Sequence, residues 1–181
     1  LDTFEEDMHI EQIDIKQLVT EVVSSNKRLF IGSHVFPVIS IAEECVITSD
    51  SKWLRFVIAQ FITNAIKYTF EENKKVYFET TFEHNQVILS VRDEGIGIPG
   101  SDMKRVTKAF FTGENGRKTG ESTGMGLYLA QEICHRLGHE LQITSTVGDG
   151  TTVSIIFEQH ESTERGELDV DIDAGRNNEG L

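Results

Sequence analysis

The chain has 181 residues, of which 38% are hydrophobic, and its formal net charge is −13 at pH 7. That apolar content suffices for one domain with a buried core. Such an acidic chain argues against nucleic acid as a partner, although backbone amides and one or two cations can still bind phosphate locally. The two cysteines, Cys45 and Cys134, lie in apolar patterns, which predicts buried free thiols in a reducing compartment.

The first part of the chain predicts short elements. Residues 1–11 are acidic and weakly patterned, and we expect them to be the end of a linker or of a preceding helix. Isoleucines at 10, 13 and 15 predict a short strand, and an apolar stripe from Lys16 to Phe30 predicts a helix. Two β-rich runs follow, at Val38–Ile41 and at Val46-Ile47. The sequence shows no signal peptide and no long apolar run, so any membrane anchor of a parent protein is expected outside this chain.

The central element is a predicted helix from Trp53 to Tyr68. Its apolar residues recur with the spacing of a strongly amphipathic helix, and Asp50 or Ser51 is a suitable N-cap. Three polar residues at i, i+4 and i+7 share one edge of this helix: Gln60, Asn64 and Lys67. A side-chain amide oxygen suits Mg²⁺, and an ammonium group suits phosphate. The simpler interpretation is that these residues form the polar edge of a core helix.

After this helix the apolar period changes to two. Alternating residues in 76–82 and 87–91 predict two strands, which His84-Asn85 joins as a hairpin. Residues 95–123 have no sustained period and many glycines, which is typical of a functional or mobile loop. Within this loop, residues 113–120 are nearly devoid of apolar anchors, and we expect them to be mobile without nucleotide.

The last third predicts another helix and another hairpin. The helix runs from Gly124 to Leu137, and Gly138 is its C-terminal stop. Apolar alternation at 141–143 and 153–157 predicts two strands around Gly148-Asp149-Gly150. Because helices and hairpins are mixed, the pattern predicts an α/β (α+β) two-layer sandwich: a mixed, mostly antiparallel sheet with helices on one face.

The C-terminal segment differs in composition from the rest of the chain. From Glu158 onward, eight acids accompany two arginines and few apolar residues. We therefore expect residues 159–181 to form an acidic, disordered tail.

The first glycine-rich segment is Asp93-Glu94-Gly95-Ile96-Gly97-Ile98, at the end of a predicted strand. A carboxylate there can accept a hydrogen bond from an exocyclic amine such as that of adenine, and the glycines let the backbone approach a flat ring. The spacing Gly95-x-Gly97-x-x-Gly100 also matches a dinucleotide fingerprint. We reject that interpretation because a hairpin precedes it and two acids would repel a pyrophosphate. The simpler alternative is an ordinary acidic turn.

The second glycine-rich segment, Ser122 to Leu127, runs from the loop into the next helix. Glycines at a helix N-terminus leave amides free to bind phosphate oxygens. Arg117 and Lys118, in the loop before it, are either cations that close over phosphates or solvated loop residues.

Five motifs in this order resemble the ATP-binding catalytic domain of sensor histidine kinases, within the gyrase, chaperone, kinase and mismatch-repair ATPase superfamily. The resemblance implies a Bergerat-type ATP-binding fold with a mobile lid, over a catalytic domain of residues 12–158. The motifs are the N box Asn64-Ala-Ile-Lys67-Tyr68, the first glycine box Asp93–Ile98, the phenylalanine box Phe110-Phe111, the second glycine box Thr123–Leu127 and the last box Gly148–Thr151.

The resemblance also implies a role for individual residues. It places Mg-ATP between the central helix and the loop, with Asp93 reading the adenine amine and Thr151 assisting through water. Asn64 is implied to coordinate Mg²⁺, with Gln60 as a second candidate ligand, and Asn64 and Lys67 are the candidate catalytic residues. Further implied ATP contacts are Tyr68, Gly95, Gly97, Ile98, Phe111, Arg117, Lys118, Thr123, Gly124, Met125, Gly126 and Leu127.

The chain departs from the family pattern at two positions. Many of these kinases have an arginine just after the phenylalanine box, but Thr112 follows Phe111 here, so Arg117 is the candidate for that role. In addition, Ser122 stands where a glycine is common.

The runs 111–117 and 122–128 resemble small kinases that sense cell-envelope antibiotics such as bacitracin in Gram-positive bacteria. That resemblance implies a homodimeric, membrane-anchored parent of which this is a cytoplasmic domain. The implied partners are the parent's own dimerisation and phosphoacceptor domain, a response regulator and a neighbouring transporter.

Three functions stay open at this point: a histidine kinase catalytic domain, a serine-directed protein kinase of the same superfamily, and an ATP-gated clamp or binding module without phosphotransfer. Hydrolytic members of the superfamily have a similar central helix but carry a glutamate, acting as general base, where this chain has Gln60, so we expect poor hydrolysis of ATP.

None of the six histidines has the acid and proline that follow a phosphoacceptor in this family. A metal site at His135 and His139 is disfavoured because Gly138 ends the helix between them.

Overall fold

The computed structural model describes residues 3–100, 102–103 and 125–159. The expected lid, the phenylalanine box and the acidic tail lie outside the described residues. The elements within these ranges are α1 (Thr3–Glu6), β1 (Glu11–Asp14), α2 (Ile15–Ser25), α3 (Lys27–Ser33), β2 (Phe36–Ser40), β3 (Val46–Ser49), α4 (Ser51–Lys67), β4 (Lys75–Glu83), β5 (Gln86–Asp93), α5 (Met125–Arg136), β6 (Glu140–Thr146) and β7 (Gly150–Glu158).

The main sheet has five strands in the order β2-β4-β5-β7-β6. Strands β2 and β4 are parallel, and each of the other neighbouring pairs is antiparallel. Strands β1 and β3 form a separate antiparallel pair. The mixed, mostly antiparallel sheet predicted from the sequence is therefore confirmed.

One face of the sheet forms the core. Phe78, Leu89 and Ile155 alternate inward along β4, β5 and β7, and each is at most 1% exposed. On the opposite face of the same strands, Ser90 Oγ and Ser154 Oγ lie 2.8 Å apart and are only partly buried. Helices α2, α4 and α5 pack on the apolar face, which confirms the two-layer sandwich.

Helix α4 supplies the centre of this core. Asp50 is its N-cap, as the sequence predicts, and its Oδ1 accepts a hydrogen bond of 2.9 Å from the Trp53 N–H. The other oxygen, Oδ2, accepts one of 2.6 Å from the His9 N–H, so the same carboxylate also ties the N-terminal segment to the helix. The residues that α4 buries are Leu54, Val57, Ile58, Phe61, Ile62 and Ala65.

The single helix predicted for residues 16–30 is wrong, because the chain breaks at Asn26 between α2 and α3. The Asn26 side chain donates a hydrogen bond of 2.8 Å to the Val22 carbonyl, which ends α2. The break changes which residues face the core: Phe30 is 3% exposed, whereas Leu29 is 44% exposed although the apolar stripe predicts it to be buried.

Two smaller expectations, for Cys45 and for Phe82, differ from the structure. Cys134 is a buried free thiol as predicted, and burial raises its pKa to about 12, but Cys45 is only half-buried. Phe82 is 65% exposed, although the alternation of β4 predicts an inward side chain. The boundary at residue 11 stays a prediction, while Phe4 packs on Trp53 with ring centroids 4.5 Å apart.

The two predicted hairpins are confirmed. His84 and Asn85 join β4 to β5 with φ values of 47° and 62°, the backbone that a two-residue hairpin turn requires. Within the described ranges, no helix has both the length and the apolar character to cross a bilayer.

Helix α5 ends at the predicted glycine stop. Gly138 has φ 79°, and the His139 N–H donates to the Cys134 carbonyl across the helix end at 2.8 Å. This end brings the His139 ring under the sheet, where its Nε2 lies 2.6 Å from Ser49 Oγ and its edge packs on Phe157. Burial lowers the pKa of His139 to about 4.

The stability of the domain should therefore fall in mild acid. In the unfolded state His139 takes up a proton near pH 6.5, whereas the folded state resists protonation until the pH approaches 4. The contribution of neutral His139 to the free energy of unfolding is therefore complete above pH 6.5 and is lost as the pH falls toward 4. Urea unfolding at several pH values should show a smaller loss in His139→Gln than in the parent. His135→Gln, at an exposed histidine in the last turn of α5, is the control. An unchanged pH dependence in His139→Gln would contradict this account.

Candidate functional site

The candidate site is built around the carboxylate of Asp93, the last residue of β5. Asp93 is 3% exposed, and its Oδ1 accepts hydrogen bonds from the Gly95 N–H at 2.9 Å and the Thr151 N–H at 3.2 Å. Burial raises the pKa of Asp93, and these two N–H groups act in the opposite direction. The donors fix the orientation of the carboxylate, and among the described residues no hydrogen bond to Oδ2 is found.

The first glycine box packs directly on the end of α4. The Ile96 N–H donates a hydrogen bond of 2.9 Å to the Tyr68 carbonyl. A Cβ on Gly95 would lie 2.4 Å from the same carbonyl oxygen, which no side chain tolerates. Glycine is thus required at 95 because two backbone segments meet there, and this contact brings the N box beside Asp93.

The last box closes the other side of Asp93. A Cβ on Gly150, which has φ 106°, would lie 2.1 Å from the Asp93 carbonyl oxygen. A Cβ on Gly97, which has φ 76°, would lie 2.4 Å from the Thr146 carbonyl oxygen, and the Gly148 N–H donates to the Ile96 carbonyl at 2.9 Å. The first glycine box and the turn between β6 and β7 therefore form one hydrogen-bonded unit around Asp93, called the Asp93 unit below.

Ser145 is a residue of this unit that the sequence analysis missed. Its Oγ accepts a hydrogen bond of 2.6 Å from the Ile98 N–H and lies 2.8 Å from Thr151 Oγ1. Ser145 and Thr151 are register partners in β6 and β7. The sequence contained a signal for this pairing, because residues 145 and 151 are equally far from the predicted turn at Gly148 and therefore lie opposite each other in a hairpin.

Helix α4 presents its polar edge toward the second glycine box. A Cβ on Gly126, in the first turn of α5, would lie 2.7 Å from Gln60 Oε1. Gln60 and Asn64 are half-buried and Lys67 is exposed, so their polar ends stay at the rim of the core. The edge predicted from the i, i+4, i+7 spacing thus lies between the second glycine box and the Asp93 unit.

The titratable groups of the N box respond to partial burial. Desolvation lowers the pKa of Lys67, whose Nζ lies 5.2 Å from the centroid of the Tyr68 ring. Desolvation also raises the pKa of Tyr68, and Asp102 adds to that shift. The Lys67 side chain, at the exposed end of the helix edge, is placed to contact an anionic ligand.

Two of the residues predicted to contact the ligand have largely buried side chains. Ile98 is 2% exposed and Leu127 is 4% exposed, and both belong to the apolar core. They can shape the wall of a site but offer little surface to a ligand. The remaining predicted residues Phe111, Arg117, Lys118, Thr123 and Gly124, and the side chain of Met125, lie outside the described residues.

A metal site made by the protein alone is absent from residues 3–100, 102–103 and 125–159, where no cluster of three His, Cys, Asp or Glu ligands occurs. Mg²⁺ does not need such a cluster, since it is commonly bound by one or two protein oxygens together with phosphate oxygens and waters. The half-buried amide of Asn64, at the rim of the core, fits that arrangement.

A family comparison gives the class of this domain. The profile described as "Histidine kinase-, DNA gyrase B-, and HSP90-like ATPase" matches residues 49–161, more than half of the chain. The chain belongs to this family, and ATP is accordingly the nucleotide that the domain binds. The match contains α4, the Asp93 unit and the second glycine box.

Curated relatives extend the match toward the N-terminus. The sensor histidine kinase YxdK of Bacillus subtilis is 41% identical over 157 residues, covering 87% of this chain and 48% of the relative. The sensor protein kinase GraS of Staphylococcus aureus is 34% identical over 166 residues, covering 91% of this chain and 47% of the relative. The chain thus spans about half the length of these kinases.

Solved structures confirm the fold. The catalytic domain of the histidine kinase ThkA matches with a TM-score of 0.72 at 20% identity, covering 83% of this chain and 96% of that one. Full-length ShkA, in complex with AMPPNP, matches with a TM-score of 0.71 at 19% identity, covering 83% of this chain and 31% of that one.

Replacing Asp93 by Asn should weaken nucleotide binding. The substitution keeps the shape of the side chain but removes its charge, so the charge-assisted hydrogen bond expected from an adenine amine to Asp93 would be weakened, at a cost of about 1.5–3 kcal/mol of binding free energy. Calorimetric titration with ADP and Mg²⁺ measures this. Glu79→Gln, which removes a carboxylate from the outer face of the neighbouring strand, should bind as the parent does. Equal affinities for the parent and Asp93→Asn would remove Asp93 from the site.

Proposed function

We propose that this domain binds Mg-ATP and donates its γ-phosphoryl group to a histidine on a separate dimerisation domain of a two-component sensor kinase. The carrying observation is the fixed Asp93 carboxylate, joined through the Tyr68 carbonyl to a helix edge that bears Asn64 and Lys67. One end of that arrangement suits an amino-purine, and the other suits metal and phosphate. The named functions of YxdK and GraS favour phosphotransfer over other activities of the family.

Each part of the site has a role in this proposal. Asp93 accepts a hydrogen bond from the adenine amine, and Tyr68 packs near the base. Mg²⁺, when bound, neutralises the phosphate charge that builds up during transfer. The Asn64 amide oxygen would hold that ion, with Gln60 as a second candidate, and Lys67 would contact a phosphate. The N-terminal amides of α5 at Gly126 and before it would bind phosphate oxygens.

The protein's contribution to the chemistry is positional. The bond between the bridging oxygen and the γ-phosphorus breaks, a bond from phosphorus to an imidazole nitrogen forms, and ADP leaves. Such a transfer depends on alignment and on electrostatic stabilisation rather than on covalent participation of the kinase domain. The catalytic domain therefore needs a second domain to supply the acceptor.

The wider organisation of the parent is part of the same proposal. Residues 12–158 form the catalytic domain, residues 1–11 lead from the dimerisation domain, and residues 159–181 are an appended acidic tail. The parent would be a homodimeric, membrane-anchored kinase whose catalytic domain is cytoplasmic. A response regulator would receive the phosphate, and a transporter is a candidate neighbour. The identities of 41% and 34% to two sensor kinases support this organisation.

An ATP-driven clamp is the strongest competing function, since the family also contains gyrase-like and HSP90-like ATPases. Gln60 argues against it. Its amide lies against Gly126, at the phosphate end of the proposed site, where a hydrolytic enzyme needs a general base. An amide can orient water but cannot accept its proton near neutral pH. Bound ATP would survive until an acceptor histidine arrives.

The isolated chain should not phosphorylate itself stably, but it should phosphorylate the parent's dimerisation domain when the two are mixed. The label from γ-³²P ATP should appear on that domain alone and should be lost in acid, as expected for phosphohistidine. Replacing the acceptor histidine by glutamine should abolish the label, and Asn64→Ala should reduce it through loss of the metal ligand. Stable labelling of a histidine in residues 1–181 would show the proposal to be wrong.

The domain should hydrolyse ATP poorly, and Gln60→Glu should raise the rate. A well-positioned carboxylate base raises the rate of such a reaction by about 10²–10⁴-fold. Even partial alignment of the new carboxylate should therefore give a measurable gain in the steady-state rate of phosphate release. Gln17→Glu places the same charge on the exposed face of α2 and serves as the control. Rapid turnover by the parent that Gln60→Ala leaves unaffected would revive the clamp.

A further inference from the structure

Ser145 makes three hydrogen-bond contacts with a single hydroxyl group. Its Oγ lies 2.6 Å from the Ile98 N–H, 3.1 Å from the Gly150 carbonyl oxygen and 2.8 Å from Thr151 Oγ1. The three partners belong to the first glycine box and to the start of β7. Ser145 therefore connects two segments that contain the groups proposed to read the base.

One assignment of donors and acceptors satisfies all three contacts as hydrogen bonds. The Ile98 N–H can only donate, so it occupies one lone pair of the Ser145 oxygen. The Gly150 carbonyl can only accept, so it takes the single hydroxyl hydrogen of Ser145. The contact with Thr151 is satisfied only if Thr151 donates its own hydroxyl hydrogen to the second lone pair.

The consequence falls on the hydroxyl of Thr151. With its hydrogen directed at Ser145, the hydroxyl of this buried residue has only lone pairs left to offer to a ligand. The backbone N–H of Thr151 is already committed to Asp93 Oδ1 at 3.2 Å. The carboxylate of Asp93 also has only acceptors to offer. Both side chains at this end of the site thus accept and do not donate.

We propose that Ser145 is a specificity-determining positioning residue, which keeps the base-reading end of the site acceptor-only and so selects 6-amino purines over 6-oxo purines. This inference rests on the proposed function, with Asp93 and Thr151 at the base-reading end of the site, and it takes the Thr151 hydroxyl to contact the 6-substituent of the base directly and not through water. Ser145 acts through Thr151 and does not itself touch the nucleotide.

The chemistry of the two bases explains the selection. Adenine presents an exocyclic amine with two hydrogens, which acceptors satisfy. Hypoxanthine and guanine present a carbonyl oxygen at the same position, which would face oxygen lone pairs with no hydrogen between them. Thr151 could donate to that carbonyl only by giving up its bond to Ser145. A site built to pair a polar group rejects the analogue that leaves its buried groups unpaired.

The test compares the affinities of ADP and IDP, which differ at the 6-position of the base. Calorimetry with Mg²⁺ gives the ratio of the two dissociation constants for the full chain, and the parent should prefer ADP. In Ser145→Ala the Thr151 hydroxyl can rotate and donate, so the preference for ADP should fall about tenfold, the size of one hydrogen bond. Ser145→Thr keeps the hydroxyl and should keep the ratio.

Ser154→Ala is the matched control. It removes a hydroxyl pair of the same length, with Ser90, from the same sheet but from its outer face. Its ratio should equal that of the parent. Should Ser145→Ala fail to fold, as judged by its thermal midpoint, Ser145→Cys retains the volume with weaker hydrogen bonds and should show the same loss in part.

Two results would overturn the inference: a parent-like ratio in a folded Ser145→Ala or Ser145→Cys variant, or an equal fall in Ser154→Ala. Failure of the parent to bind either nucleotide is a different result, which would overturn the proposed function and this inference with it.

Discussion

The hydrogen bonds from the Gly95 and Thr151 N–H groups to Asp93 Oδ1 are the contacts on which the rest of the site depends. They let a carboxylate remain in a nearly buried position, where an unpaired charge would be strongly unfavourable. They also draw the first glycine box over the end of α4 and hold the start of β7 against β5. The close approaches at Gly95 and Gly150 are the steric counterpart of this arrangement, since a side chain at either position would push the donors away.

Helix α4 gives the domain its core and its ligand-facing edge at once. Its apolar side anchors the helix through residues such as Val57 and Ile58, which are fully buried. The opposite edge can therefore carry Gln60, Asn64 and Lys67 without needing them for stability. A helix held this firmly keeps its polar groups in place before any ligand arrives, which lowers the conformational cost of binding.

Sequence reasoning succeeded where structure is set locally. The helical period of α4, the Asp50 cap, the His84-Asn85 turn and the Gly138 stop each follow from residues close together in the chain. It failed at Asn26, where one side-chain hydrogen bond ends a helix whose apolar stripe continues. The role of Ser145 was missed because the turn at Gly148 pairs it with Thr151 alone, whereas its hydrogen bond from the Ile98 N–H joins positions 47 residues apart that only the folded chain brings together.

The strand order has a consequence for how this domain responds to its ligand. Strand β5 is paired with β4 on one side and with β7 on the other, and the register partners of β5 and β7 lie from 60 positions apart (Arg92 and Thr152) to 72 positions apart (Gln86 and Glu158) in the chain. The hydrogen bond from the Thr151 N–H to Asp93 exists only once that distant pairing has formed. A ligand that needs both groups would therefore bind only the closed sheet, and its binding free energy would stabilise every element that the closure joins.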